Sequence, residues 1–321
     1  MTNYTVDTLH LGPFETESGE RIEDLQLRYE YVGYRGQPLV LVCHALTGNH
    51  LTYGTHDNPG WWREIIDGGY MPLHDYQFLT FNVIGSPFGS SSSLTDPDFP
   101  KDITMRDIVR AIELGLKALG FEKIDVLIGA SLGGMQVLEL LYNQTFEVKK
   151  AVILAATAKT SAYSRAFNEI ARQAIHIGGK EGLSIARQIG FLTYRSSKNY
   201  DTRFNPDEVV SYQKYQGDKF KKNFDINCYL SLLGVLDSHN IYRGRHDVTE
   251  TFQSLDTKVL TLGFKDDLLY PNDQIMELGE SFQYHRHFFI TDNVGHDGFL
   301  LNFNDWAPYL YHFLKVSRFR R

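Results

Sequence analysis

The chain has 321 residues, a formal net charge of −7, and apolar and charged fractions of 42% and 22%, those of an ordinary soluble globular protein. That length can bury a large core as one α/β domain or two, and the acidic balance argues against a nucleic-acid binder, which is usually basic. Its two cysteines, Cys43 and Cys228, sit in no CxxC or Cys/His spacing, so no metal site is expected.

Residues 1–14 are polar and lack an apolar signal core, and no run approaches the length of a membrane span. A cytoplasmic protein without a membrane partner is the expectation. Residues 25–32 alternate apolar and polar side chains and predict an antiparallel strand with one wet face. Residues 38–43 and 78–83 are continuous apolar runs, the mark of strands buried on both faces. A serine run at residues 90–93 predicts a loop. Thr104 with Asp107 predicts a capping box opening a helix, with Ile108, Ala111, Ile112 and Leu116 on one face and Gly120 as its stop. A short apolar run at 124–128, a helix over 133–141 and a strand at 151–154 follow.

The rhythm then lapses. From residue 157 to 247 no buried strand is legible, while 164–173, 182–189 and 207–215 have helical spacing. It resumes with strands at 258–262 and 287–290, a helix near 273–278 and another near 306–314. Strands alternating with helices predict a mostly parallel central sheet with helices on both faces. The expected division is a core of residues 1–156 and 248–321, with 157–247 inserted as a helical lid. The lid would cover the C-terminal edge of the sheet, where open parallel sheets bind ligands.

Residues 129–133 read Gly-Ala-Ser-Leu-Gly between a strand and a helix. A serine flanked by glycines at such a turn is pushed onto a sharp, exposed bend where its hydroxyl can attack a carbonyl. The same bend aims the N–H of Leu132 at the place where negative charge develops. Alone, the pattern also fits a tight turn around a buried serine. His296 strengthens the catalytic reading, because it lies in a glycine-flanked loop after the strand at 287–290 and is placed to accept the serine proton. The chain order serine, acid, histidine singles it out among twelve histidines. Asp266 and Asp267 follow the strand at 258–262, and either suits the role of orienting the imidazole. A second oxyanion donor is expected from the loop at 44–48, in which His44 itself reads as structural.

Four blocks carry a resemblance: His44-Ala-Leu-Thr-Gly48, Gly129-Ala-Ser-Leu-Gly-Gly-Met-Gln136, Asp267-Leu-Leu-Tyr-Pro271 and Gly295-His-Asp-Gly-Phe-Leu300. The lid adds Phe167-Asn-Glu, Arg172-Gln-Ala-Ile175, Tyr194-Arg-Ser196 and Tyr215-Gln-Gly-Asp-Lys-Phe220. In this order the blocks resemble the homoserine O-acetyltransferase family, which implies the α/β-hydrolase fold and a place in methionine biosynthesis. The resemblance implies Ser131 as nucleophile, His296 as base and Asp267, rather than Asp266, as third member. It implies Leu46 and Leu132 as oxyanion donors, Arg195 for the homoserine carboxylate and Asp297 for its ammonium group. It implies acetyl-coenzyme A as acyl donor, no bound cofactor, and a homodimer joined through the lid. Two blocks depart from the family pattern, Gly85-Ser86-Pro87 for Gly-Gly-Cys and Ala171-Arg172 for Gln-Arg, and neither touches a triad position.

Other readings use the same residues. A succinyl donor would need an extra cation in the acyl pocket. L-Serine differs from homoserine by one methylene, worth about 1–3 kcal/mol in a pocket. An esterase would use the same triad. Lys214, Lys219, Lys221 and Lys222 read as a solvated helix face, with a landing patch for coenzyme A as the alternative.

Overall fold

The computed structural model describes residues 3–291 and 293–316. In chain order its elements begin with β1 (Asn3–His10), a hairpin of β2 (Phe14–Glu15) and β3 (Arg21–Ile22), β4 (Gln26–Gly33), β5 (Leu39–Cys43) and α1 (Arg63–Asp67). They continue with β6 (Gln77–Phe81), α2 (Met105–Ala118), β7 (Lys123–Ala130), α3 (Leu132–Asn143) and β8 (Glu147–Leu154). A run of helices follows: α4 (Ala162–Tyr194), α5 (Ser197–Arg203), α6 (Pro206–Asn223), α7 (Ile226–Ser238) and α8 (Val248–Ser254). The chain closes with β9 (Lys258–Phe264), α9 (Asn272–Glu280), β10 (Tyr284–Ile290), a 3-10 turn (His296–Leu300) and α10 (Phe303–Lys315).

Among the described residues eight strands form one sheet in the order β1-β4-β6-β5-β7-β8-β9-β10. β4 pairs antiparallel with β1 and with β6, and every pairing from β6 to β10 is parallel. The two-residue period of the strands sorts their side chains into two cores. Leu39, Leu41, Leu127 and Ile153 face α2, α3 and α9, while Val40, Val42, Ile128, Val152 and Leu262 face α1 and α10 around Trp306. Burying each such side chain contributes roughly 1.5–3 kcal/mol. With both faces covered, the central strands are apolar throughout, which is why they were legible as unbroken runs.

The predicted capping box is present: the Thr104 side chain accepts from the Asp107 N–H, and the Asp107 carboxylate accepts from the Thr104 N–H. β4 differs from expectation. Its expected wet face is covered, because the loop after β5 folds over it and Glu30 accepts hydrogen bonds from the N–H groups of Tyr53 (2.8 Å) and Gly54 (2.7 Å).

The helical block hangs from a narrow neck. Lys159 and Asn240 form an antiparallel bridge, flanked by Thr160 N–H donating to the His239 carbonyl (3.0 Å) and Ile241 N–H to the Ala158 carbonyl (2.9 Å). α4 bends at Gly179, where φ is 52°, and doubles back so that Gly182 packs on Ala174. The block also reaches the loops at the C-terminal edge of the sheet. Ser164 Oγ donates to the Leu269 carbonyl (3.1 Å), and the Ser196 N–H donates to the Val294 carbonyl (2.8 Å). Among the described residues no helix is long and apolar enough to cross a membrane.

Candidate active site

Ser131 sits between β7 and α3 with φ 55° and ψ −123°, a conformation L-residues rarely adopt. The turn is closed by the Ser131 N–H donating to the Leu154 carbonyl (2.9 Å). Its glycines are steric requirements: a Cβ on Gly129 would lie 2.2 Å from the Gly133 carbonyl oxygen, and one on Gly133 would lie 2.1 Å from that of Cys43. The bend therefore fits only because the strand end and the helix start can touch.

The structure brings residues 131, 267 and 296 together. His296 Nε2 lies 3.0 Å from Ser131 Oγ, and His296 Nδ1 lies 2.8 Å from Asp267 Oδ2. The other Asp267 oxygen, Oδ1, accepts from the N–H groups of Leu269 (2.8 Å) and Tyr270 (3.1 Å), which fixes the carboxylate. Asp266 is exposed and adopts a left-handed φ of 61°, a conformation aspartate tolerates. That turn directs Asp267 inward and separates the two adjacent aspartates.

His296 is buried among the rings of Tyr270, Phe299 and Tyr194, with centroids at 5.2, 5.4 and 5.7 Å. Burial alone would pull its pKa down. The charge and hydrogen bond of Asp267, with the charge of Asp297 added, instead hold it above the ordinary imidazole value.

Leu46 and Leu132 are both buried, and among the described residues neither N–H donates to a protein acceptor. Leu132 opens α3, so its N–H is one of the unpaired donors of a helix start. Gln136, one turn on, ties the two segments together: its Nε2 donates to the carbonyls of His44 (3.1 Å) and Leu132 (3.2 Å). His44 holds the loop from the other side. Its Nδ1 donates to the Ala45 carbonyl (2.8 Å) and its Nε2 accepts from the Val83 N–H (3.0 Å). Burial pushes the His44 pKa down to about 4, so the ring is neutral and structural, as expected.

Arg195 Nε lies 3.2 Å from Asp297 Oδ2, and both residues line one cavity of about 240 Å³ with Leu46, Ser131 and His296. Arg195 is buried, and among the described residues its Nη1 has no hydrogen-bond partner. The cavity thus sets an ion pair with an open donor beside the serine. Sequence reasoning placed these residues but not their pairing, and it gave no role to Gln136. Helical i,i+4 spacing from Leu132 was the available signal for Gln136. Of the four lysines on α6, Lys221 pairs with Glu181 and Asp218, each at 2.8 or 2.9 Å, as a solvated face would.

A family model described as alpha/beta hydrolase fold matches residues 38–303. The chain is 33% identical to a homoserine O-acetyltransferase of Carboxydothermus hydrogenoformans, over 95% of this chain and 93% of that protein. It is 76% identical to the crystal structure of homoserine O-acetyltransferase from Staphylococcus aureus, with a TM-score of 0.97 over 99% of this chain and 98% of that one. Esterase E22, at 17% identity and a TM-score of 0.85 over 98% of this chain and 100% of that one, shares the fold alone. The sheet order, the match to the family model and the extent of these identities agree, and the chain belongs to the homoserine O-acetyltransferase family of the α/β-hydrolase fold.

Proposed function

We propose that this protein transfers the acetyl group of acetyl-coenzyme A to the hydroxyl of L-homoserine through an acetyl-Ser131 intermediate, as a step of methionine biosynthesis in the cytoplasm. Ser131 Oγ attacks the thioester carbonyl while His296 Nε2 takes its proton. The N–H groups of Leu46 and Leu132 hold the oxyanion, and each such donor contributes on the order of a hundredfold or more in rate. The C–S bond breaks, and the coenzyme A thiolate leaves with the proton from His296. The homoserine hydroxyl then gives its proton to His296, its oxygen bonds the acetyl carbon, and Ser131 departs and is reprotonated. Asp267 keeps the imidazole in the tautomer that accepts at Nε2.

The observation that carries this reading over an esterase is the Arg195–Asp297 pair at the reacting serine. An α-amino acid presents one carboxylate and one ammonium group. Arg195, whose Nη1 has no partner among the described residues, suits the carboxylate, and Asp297 suits the ammonium. Residues 157–247 then act as a lid inserted in a core of 1–156 and 248–321, and the neck between Lys159 and Asn240 supports that boundary. Positioning the alcohol beneath it favours transfer over hydrolysis. The test is release of free thiol from acetyl-coenzyme A with and without L-homoserine, with mass spectrometry of the product. Homoserine-dependent release and O-acetylhomoserine are expected. Release at the same rate without homoserine assigns the site to a hydrolase.

The lid is also the proposed dimer surface. Before the bend in α4, Tyr163, Ile170 and Ile177 recur every seven residues and are exposed, Ile177 to 88%. After it, Ile185 and Leu192 are exposed and again seven residues apart. An apolar stripe of this kind on a helix is suited to a second copy of the same chain. Sedimentation should therefore give a dimer for the native chain and a monomer for Ile170→Asp with Ile177→Asp. A native monomer would count against the surface.

A further inference from the structure

We infer that Gln136 is a positioning residue whose carboxamide sets the distance between the two oxyanion donors, an inference that rests on the roles proposed above for the N–H groups of Leu46 and Leu132. Each donor belongs to a peptide group. The Leu46 N–H shares its peptide with the Ala45 carbonyl, and the Leu132 N–H shares its peptide with the Ser131 carbonyl. A trans peptide is planar, so a fixed carbonyl fixes the direction of the N–H on its far side. The Ala45 carbonyl accepts from the Gly48 N–H (2.9 Å) and from His44 Nδ1 (2.8 Å). The Ser131 carbonyl accepts from the Met135 N–H (3.1 Å). Each donor is thereby aimed, but the first set of bonds stays within the loop and the last within the helix start. The distance from one segment to the other is left open.

Gln136 closes it. Its Nε2 donates to the His44 carbonyl (3.1 Å), which belongs to the peptide directly before the one bearing the Leu46 N–H. It also donates to the Leu132 carbonyl (3.2 Å), of the peptide directly after the one bearing the Leu132 N–H. One nitrogen thus spans the two peptides next to the donors. Glycine at 133 lets the segments touch, since a Cβ there would lie 2.1 Å from the Cys43 carbonyl oxygen and 3.2 Å from that of His44. Gln136 holds them at that approach. The far end of the amide shows which atoms matter. Gln136 is fully buried, and among the described residues its Oε1 has no hydrogen-bond partner. A buried oxygen without a partner is unfavourable, and an apolar side chain of the same shape would avoid it. Turning the amide over would set that oxygen against two carbonyls. The glutamine is therefore present for its NH₂ group.

Two variants test this, Gln136→Met, which keeps the volume without the donors, and Gln136→Glu, which keeps the shape but faces both carbonyls with oxygen. Oxyanion donors act at about 2.7–3.1 Å, so a loosened pair loses rate. Both half-reactions pass through an oxyanion. The burst of thiol from acetyl-coenzyme A and the homoserine-dependent turnover should therefore slow together, by about tenfold to a hundredfold. The KM for homoserine and the acid limb of the pH profile should stay unchanged. A short-chain alkyl trifluoromethyl ketone reads the donors directly: its carbonyl carbon bonds Ser131 Oγ, the serine proton passes to His296, and the ketone oxygen becomes the oxyanion. Its inhibition constant should rise by the same factor as turnover falls. A folded variant with native turnover, or one that loses turnover yet binds the ketone as tightly as the native chain, overturns the inference. Failure of both variants to fold, judged by thermal melting, also overturns it, because the amide would then serve the fold. A native chain that neither releases thiol nor acetylates homoserine overturns the proposed function instead, so the two are separable.

Discussion

Ser131→Ala lowers acetyl transfer by about 10⁴-fold or more, and Ser131→Gly is equally inactive but yields a more stable protein. The first half follows from the loss of the group that forms the acyl-enzyme; mass spectrometry after exposure to acetyl-coenzyme A should show one added acetyl group on the native chain and none on either variant. The second half follows from the backbone. A φ of 55° with ψ of −123° is glycine's territory, and holding a side chain there costs roughly 1–3 kcal/mol. Glycine removes that strain but loses about 0.5–1 kcal/mol to the greater freedom of its unfolded chain. The net gain is about 1 kcal/mol over alanine, which retains the strain. Urea midpoints of the two variants measure it. A glycine variant less stable than alanine by about 0.5–1 kcal/mol would mean that the bend is unstrained, and a fully active alanine variant would mean that Ser131 is not the nucleophile.

Asp267→Asn is the second large effect, a loss of about 10⁴-fold near neutral pH with the fold intact. The amide oxygen can keep the bonds that Oδ1 accepts from the Leu269 and Tyr270 N–H groups. Its NH₂ must then face His296 Nδ1, which becomes an acceptor. The ring proton moves to Nε2, and the imidazole presents a donor to Ser131 where a base is needed. The variant also changes the pH behaviour. Because His296 titrates above its ordinary value of 6.5 in the folded chain, its contribution to stability is fully present below that value and lost as pH rises through the raised pKa. Activity runs the other way, since only the neutral ring accepts a proton. The acid limb of kcat/KM should lie above about 6.5 in the native chain and move down in the variant, where burial acts without Asp267. An unmoved limb would mean that another group titrates there.

Much of this was legible in the sequence. The central strands announce themselves because they are apolar on both faces, and the Thr104–Asp107 capping box because its spacing is mechanical. β1 was not legible, since its residues are mostly exposed at the sheet edge and carry no burial pattern. α7 was not singled out because its buried residues Cys228, Tyr229, Leu232, Leu233, Val235 and Leu236 leave only a narrow stripe of Asn227, Ser231, Gly234 and Ser238 to mark the helical period. The site divides in the same way. Chain order and turn chemistry point to Ser131 and His296, but two adjacent aspartates are alike as letters. The family resemblance selects Asp267, and the left-handed turn at Asp266 is the structural reason that the two differ. The meeting of Arg195 with Asp297 joins residues from different elements and leaves no local trace.

The stitches between Ser164 and Leu269, and between Ser196 and Val294, fasten the roof to the very loops that bear the acid and the base. A roof tethered in this way cannot swing clear without tugging both loops. On the proposed mechanism, any gap wide enough to admit bulk solvent would also slacken the proton relay, so that the moment of greatest exposure to water would be the moment of least reactivity.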